Sequence, residues 1–449
     1  MDKTLTGLTP ALADTTRTQR YMQLMLLVIA AGAIYPILYL RQVYQTTMLE
    51  FFHIDNAQLG YLYSVVGTVF LVSYLPSGWL ADRIAPRFLI CFSLIGTGLL
   101  GIVYSTAPPF PILLAVFCAW GLTTGLTFWA SILKRVKTIA AHDEQGRFFG
   151  LLDGGRGLIE ALLATVALVI FAAATEQHGL STDMGFRYVV YLYVAVCIVL
   201  GLLMALVKDP PAPDQAQAAG KADTADTANL HHTLWSDLVT LLCIPQLWLM
   251  AAVVFCGYQI FWATYSFSAY LQVGDLKMTV VMAGTLTTLK LWMRPIGGIG
   301  GGYLGDRFST LGVLIAALFL AAIGLGVLVV LPSVGGLNPS VGIAAIAIVV
   351  LLIGVLTYAI RGLYWSLLDE CGIPWRITGL AIGLISLIGY SPDVFLPLVN
   401  GWTTEHYPGL AGYQFYFSYI AGVAVIGGVA AIALKRMRAR STFAKESVR

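Results

Sequence analysis

The residues of this chain that could do chemistry are ionisable side chains set inside long apolar runs. Lys290 and Arg294 stand four apart, the spacing that puts two residues on one helix face. Two cations so placed repel each other unless an anion or a carboxylate sits between or beside them. The pair therefore reads either as an anion site or as one half of internal ion pairs with acids of other runs. Asp153, Arg156 and Glu160 follow at i, i+3 and i+7, on one stripe. Arg156 can pair with either acid, and Glu160, the deepest, stands where a carboxylate could carry a proton; a fixed ion pair is the other reading. Arg41 and Arg361 lie about two-thirds along their runs, able to reach a polar cavity or to stretch toward an interface. Asp393, after Ser391-Pro392, could counter one of these cations or carry a proton. Tyr258, Trp262 and Tyr265 stand at i, i+4 and i+7 with Gln259 beside them. Such a face could stack on an organic group while Gln259 hydrogen-bonds it, or could simply pack a core.

The elements that must position these residues follow from composition. The chain is 58% hydrophobic and only 11% charged, against roughly 25% charged in a soluble domain, so it is read as an integral membrane protein. A span needs ~20 mostly apolar residues. Runs of that kind fall at 21–49, 57–80, 88–106, 110–136, 147–172, 186–207, 245–272, 279–304, 309–331, 341–368, 376–400 and 412–434. The predicted fold class is an all-α membrane protein of twelve transmembrane helices in two pseudo-symmetric six-helix bundles. The N-terminal bundle covers 1–207, a polar linker rich in Pro, Ala, Gln, Asp and Thr covers 208–234, and the C-terminal bundle with a short basic tail covers 235–449. At ~1.5 Å per residue, Lys290 lies roughly 16 Å into its span, near the midplane. Spans 3, 6, 9 and 12 carry no charge away from their ends, whereas spans 1, 5, 8, 10 and 11 do. An intramembrane charge is expensive and marks a functional position by default, so the second set is expected to line a polar cavity. Lys and Arg cluster in alternate loops, at Arg83 and Arg87, then Lys134, Arg135, Lys137 and Arg147, then Lys208 and Lys221, then Arg307, Arg376 and the tail from Lys435. The positive-inside rule then places both termini and the linker in the cytoplasm of a cell with its plasma (inner) membrane as host. Lys134 and Arg135, near a span end, are expected to be interface anchors.

Other chemistries find no support in the sequence. The six cysteines form no CxxC pair, and the six histidines lie in loops or span ends without metal-ligand spacing. No nucleophile elbow or phosphate loop ending in Lys-Ser/Thr is present, so no catalytic residue, metal or cofactor is expected and the chain is not read as an enzyme. The basic tail follows the last span and reads as an anchor at lipid headgroups, not as a nucleic-acid arm. The first span, preceded by a polar segment, is expected to stay uncleaved.

One motif is duplicated. Gly78-Trp79-Leu80-Ala81-Asp82-Arg83, between spans 2 and 3, returns as Gly302-Tyr303-Leu304-Gly305-Asp306-Arg307, between spans 8 and 9, about half of the 449-residue chain away. With this G-x-L-x-D-R signature the chain resembles the major facilitator superfamily over essentially its whole length. The family usually has Gly where Ala85 stands, and the second copy has no matching Arg after Arg307. The resemblance implies twelve helices, alternating access, a substrate site between the repeats, and a cytoplasmic gate biased by Asp82, Arg83, Asp306 and Arg307. Tyr39-Leu40-Arg41 is similar to the placement of a substrate-binding Arg in organophosphate:phosphate antiporters, whose partner Arg in span 7 is absent here. Arg294-Pro295-Ile296-Gly297-Gly298 resembles the Arg-bearing stretch of nitrate/nitrite porters, whose second Arg, in span 2, is absent as well.

These features lead to the expectation of a secondary transporter for a small organic anion, working as a monomer in the lipid bilayer, proton-coupled or by exchange. Arg41, Lys290, Arg294, Arg361, Tyr258, Gln259 and Trp262 are the expected substrate contacts. Glu160, Asp153 and Asp393 are the expected proton-coupling acids. The alternative is a drug or sugar porter of the same fold whose charges are locked in structural pairs.

Overall fold

The computed structural model describes residues 17–140, 144–207, 238–274, 276–333, 339–368 and 378–446. The linker 208–234 lies outside these residues, as do His142, Cys371, Arg376 and the side chains of Asp82 and Arg440. Among the described residues the chain is helical and no strand occurs. The helices are α1 (Arg17–Ala33), α2 (Arg41–Phe52), α3 (Asn56–Arg83), α4 (Pro86–Ser105), α5 (Phe110–Gly121), α6 (Trp129–Ile139), α7 (Gln145–Ala172) and α8 (Thr182–Leu206). They continue as α9 (Pro245–Ala263), α10 (Phe267–Gln272), α11 (Val280–Arg307), α12 (Thr310–Val330), α13 (Pro339–Leu363), α14 (Thr378–Gly389), α15 (Pro392–His406) and α16 (Leu410–Glu446). Among the described residues nine helical segments are long and apolar enough to cross a membrane by length and composition. The other three expected spans also fall on helices: 21–49 on α1 and α2, 57–80 on α3, and 279–304 on α11.

Several spans are discontinuous, and the causes are local. Pro36 lacks an N–H and its ring crowds the preceding turn, so span 1 breaks into turns over residues 34–40 and restarts as a helix at Arg41. In span 4 the hydroxyls of Thr123, Thr124 and Thr127 bond back to the carbonyls of Trp120 and Thr123, and the helix widens to a π segment at Leu122–Leu126. Span 7 tightens to a 3-10 turn at Thr264–Ser266, where the Thr264 hydroxyl bonds to the Phe261 carbonyl. Span 11 breaks at Tyr390-Ser391 and restarts with Pro392 in the first turn of α15, the position where a missing N–H does least harm. Helix starts are capped by side-chain oxygens: Ser181, Thr279 and Ser309 accept from the backbone N–H of Met184, Met282 and Gly312.

The described chain divides into two compact units. One holds the residues up to Leu40 and those of the N-terminal half from Val65. Its core gathers Leu24, Leu27, Val28, Phe128, Ile132, Val136, Phe148 and Leu152, with α1 packed on α7 and α4 on α8. The other unit holds Arg41–Ser64 together with the C-terminal half. There α11 packs on α13, and α16 packs on α9 and α12. Large apolar side chains stand exposed along α4 (Phe88, Phe92, Leu99), α8 (Val199, Leu202), α12 (Leu320, Ile323) and α16 (Phe415, Ile426, Val429), the surface a lipid-facing helix needs.

The α11–α13 contact depends on two glycines. A Cβ on Gly297 would run into the Val355 carbonyl oxygen, and one on Gly354 would come within 2.7 Å of the Lys290 Cγ. Small residues let membrane helices approach closely, and here that approach seats the Lys290 stem. Gly297→Ala is therefore expected to overpack the contact at a cost of about 1–3 kcal/mol, seen as a lower melting temperature of the detergent-purified protein. Ala at Gly298, where a Cβ meets nothing within 4 Å, should leave it unchanged.

Candidate functional site

Arg41 opens α2, directly after the break imposed by Pro36. Its side chain is 2% exposed. Nε donates to Gln45 Oε1 at 3.3 Å, one Nη donates to Asn400 Oδ1, and Cζ lies 5.5 Å from the centre of the Tyr63 ring. The other Nη, buried, has no hydrogen-bond partner among the described residues. No carboxylate stands within ion-pair distance among the described residues either. The acceptors are held in turn: Asn400 Nδ2 donates to Ser266 Oγ at 3.2 Å, and Gln45 Nε2 donates to Asn56 Oδ1 at 2.9 Å and to the Tyr413 hydroxyl at 3.4 Å. The guanidinium is thus solvated by neutral dipoles and a ring face rather than neutralised.

The neighbouring residue continues the pattern. Lys290, fully buried, donates from Nζ to Gln42 Oε1 at 2.7 Å and to Thr264 Oγ1 at 3.1 Å, with the Tyr265 ring centre 5.8 Å away. Thr264 and Tyr265 belong to the 3-10 turn of span 7, so the break supplies both the acceptor and the ring. Tyr265 lies within electrostatic reach of Arg41 and of Arg361 as well. Three cations from spans 1, 8 and 10 therefore gather about one tyrosine.

Arg361 closes α13 with its Cζ 4.1 Å from the Phe261 ring centre and 5.6 Å from that of Tyr258. Asp393 sits in the first turn of α15, buried, and its Oδ1 accepts from the Tyr258 hydroxyl at 2.8 Å and from Trp262 Nε1 at 2.7 Å. The charge of Arg361 acts on this carboxylate. Tyr258 packs edge-on against Tyr390, whose hydroxyl takes a bond from Trp365 Nε1 at 3.1 Å and shares one with Tyr364. Trp262 packs on Tyr265 at 5.1 Å. Arg294, half-buried, lies 5.8 Å from the Tyr358 ring centre. Gln259 is fully buried, and neither of its amide atoms has a hydrogen-bond partner among the described residues.

The remaining expected residues lie elsewhere. In the first unit, Arg156 Nε is 3.5 Å from Asp153 Oδ1, and its Cζ lies 4.8 Å from the Trp129 ring centre. The Asp153 side chain is 75% exposed, whereas Glu160 is half-buried and acts electrostatically on Tyr193. Arg83, in the last turn of α3, stacks 4.1 Å from the Trp79 ring centre. Asp306 and Arg307 are exposed at the end of α11, where Arg307 reaches the Tyr303 hydroxyl at 3.5 Å. Arg135 differs from its expected place at an interface: it is 2% exposed and bonds to Gln23 Oε1 at 3.3 Å. The reason is that α6 is amphipathic, and Arg135 falls on the buried face with Ile132, Val136 and Ile139. Lys134 donates to the Ala81 carbonyl at 2.7 Å.

Sequence reasoning passed over Gln42, Gln45, Thr264 and Asn400, which are neutral but supply the polar atoms around the two deepest cations. The signal was there, since a buried amide also needs partners: Gln42 and Gln45 stand one and four residues after Arg41, and Asn400 seven after Asp393 on the same stripe.

Interrupted spans that carry polar side chains into a helical bundle, here spans 1, 7 and 11, are a recurring feature of membrane transporters. The sequence matches the family described as Major Facilitator Superfamily over residues 21–397, and the chain belongs to that family of transporters. It is similar to two inner membrane proteins of Escherichia coli K12. YihN is 28% identical, with 92% of this chain and 95% of that one covered, and YqcE is 29% identical, with 92% and 93% covered. A probable hexose phosphate transport protein of Chlamydia muridarum is 22% identical over 59% of each chain. Among solved structures, a bacterial homologue of the human lysosomal transporter Spinster aligns with a TM-score of 0.72 at 14% identity, covering 95% of this chain and 99% of that one; the likeness is one of fold.

The amide shell around Arg41 makes a prediction about stability. Asn400→Leu strips a buried guanidinium of an acceptor and is expected to cost about 1.5–3 kcal/mol, the worth of a hydrogen bond to a charged group. A melting curve of the ligand-free variant measures it, and an unchanged curve would show that the bond contributes nothing.

Proposed function

We propose that this chain is a secondary active transporter that moves a small organic anion across the inner membrane by alternating access. The observation that carries the reading is Arg41: a guanidinium 2% exposed, with one Nη unbonded and no carboxylate in reach among the described residues. A buried charge held only by dipoles is strongly disfavoured, and an anion arriving from outside the protein is what would balance it. Lys290 and Arg361, gathered with Arg41 about Tyr265, extend the positive field, and Tyr258 and Trp262 give the organic part a wall. Arg294 is an outer contact in this reading. The Chlamydia relative supports it, since the hexose phosphate of its description is an organic anion.

Asp393 is the proposed proton-coupling acid, ahead of Glu160 and Asp153. Its two donors, Tyr258 and Trp262, belong to the aromatic wall, so its protonation and the occupancy of that wall are linked. Asp82, Arg83, Asp306 and Arg307 are assigned to the cytoplasmic gate, and both termini to the cytoplasm. Arg361 favours a second reading at one position only: its action on Asp393 makes it partly a structural pair.

Uptake into proteoliposomes tests the proposal. Glucose 6-phosphate, gluconate and isethionate are offered beside neutral glucose and a cationic dye. At least one anion is expected to accumulate, and Arg41→Gln or Lys290→Ala is expected to reduce that uptake by at least ~10-fold, as the loss of a charge-assisted contact implies. Uptake of glucose or dye alone, indifferent to both substitutions, would replace the anion reading with that of a neutral or drug porter.

A further inference from the structure

Orphaned polar atoms are distributed unevenly around the cationic cluster. Gln259 is fully buried and carries an unbonded donor, Nε2, beside an unbonded acceptor, Oε1. Thr357, 1% exposed, has an unbonded hydroxyl. These absences hold among the described residues. Buried polar atoms in native proteins are nearly always bonded, so each exception asks for a partner not supplied by the fold.

Their positions tie them to the cluster already described. Thr357 stands between Gly354 and Arg361 on one stripe of α13, at i+3 from the first and i−4 from the second. Gly354 packs on the Lys290 stem, and Arg361 on the rings of Tyr258 and Phe261. Gln259 follows Tyr258 directly and precedes Trp262 by three residues on α9, the two residues that hold Asp393. Thr357 thus shares a stripe with Arg361, and Gln259 shares a helix with the two residues that hold Asp393, but both are neutral.

An anionic headgroup alone does not satisfy them. Phosphate, sulfonate and carboxylate oxygens, when ionised, only accept. They can take a bond from Gln259 Nε2 but give none to Gln259 Oε1. A hydroxyl both donates and accepts, and it matches an amide or a threonine in either sense. We propose that Gln259 and Thr357 recognise hydroxyl groups on the neutral part of the substrate, so that the transported species is a hydroxylated organic anion such as a polyol phosphate or a sugar acid. This inference rests on the anion reading of Arg41 and adds the substrate's second chemical requirement. The selectivity follows from the orphaned atoms themselves, because a site built to bond a hydroxyl rejects the analogue that lacks it and leaves buried groups unpaired.

The test compares matched anions on the purified full-length protein by ligand-dependent melting, converted to apparent Kd. Glycerol 3-phosphate is set against propyl phosphate, and gluconate against hexanoate. In at least one pair the hydroxylated member is expected to bind at least ~10-fold more tightly. Gln259→Leu is expected to close that gap while leaving the deoxy anion's Kd within about 3-fold. It should also melt no lower than wild type without ligand, because it removes unsatisfied atoms. Thr357→Val, closest to threonine in shape, is the second variant and is expected to narrow the gap in the same direction. Equal affinity for both members of each pair in the wild type, or a gap that survives both substitutions, overturns the inference and leaves the anion reading standing. A protein that binds none of the four anions, and neither glucose 6-phosphate nor isethionate, removes the anion reading, and this inference with it.

Discussion

A positive charge placed among helices far from water is the constraint on which the rest of this structure depends. Arg41 is buried, and among the described residues it meets two amide oxygens and a tyrosine face rather than a carboxylate. Neutral dipoles lower the cost of burial without cancelling the charge. Lys290 receives the same kind of shell from Gln42, Thr264 and Tyr265. The buried acid in the described chain, Asp393, accepts from Tyr258 and Trp262 and lies within the field of Arg361. Among the described residues the deepest cations are thus met by neutral dipoles rather than by carboxylates, and the proposed anion would supply the missing negative charge.

The helix breaks serve the same constraint. A continuous helix satisfies its backbone internally and offers side chains at fixed steps. Spans 1, 7 and 11 are interrupted at residues 34–40, Thr264–Ser266 and Tyr390-Ser391. Each interruption positions a residue of the candidate site: Arg41 at the restart of span 1, Thr264 and Tyr265 within the turn of span 7, and Asp393 at the restart of span 11. Broken helices near a binding site are a recurring feature of secondary transporters. Here their local causes are a proline, a back-bonded threonine and a second proline.

Much of the fold was legible in the sequence, because lipid imposes a simple rule. Runs of ~20 apolar residues must be helices, and among the described residues each expected span falls on one helix or on an interrupted succession of them. The charged candidates were legible too, since Arg41, Lys290, Arg361 and Asp393 are anomalies in such runs. Their partners were not. Arg41 meets Asn400, Gln42 meets Lys290 and Val43 meets Ser268, pairings between residues hundreds of positions apart that no local spacing encodes. These bonds are also why Arg41–Ser64 groups with the C-terminal helices. Arg135 was misplaced for a related reason: its nearness to a span end outweighed the amphipathic pattern of α6, which buries it.

The most direct test of the central claim removes the charge and its acceptor together. The Arg41→Met, Asn400→Leu double variant replaces a buried cation and its amide partner by apolar groups of similar bulk. A buried ionic group without a full counter-charge can be replaced in this way at little or no loss of stability. The ligand-free double variant is therefore expected to melt at or above the wild-type temperature. Melting well below wild type would contradict the account, because it would mean that Arg41 is a structural charge whose balance is already complete within the folded chain.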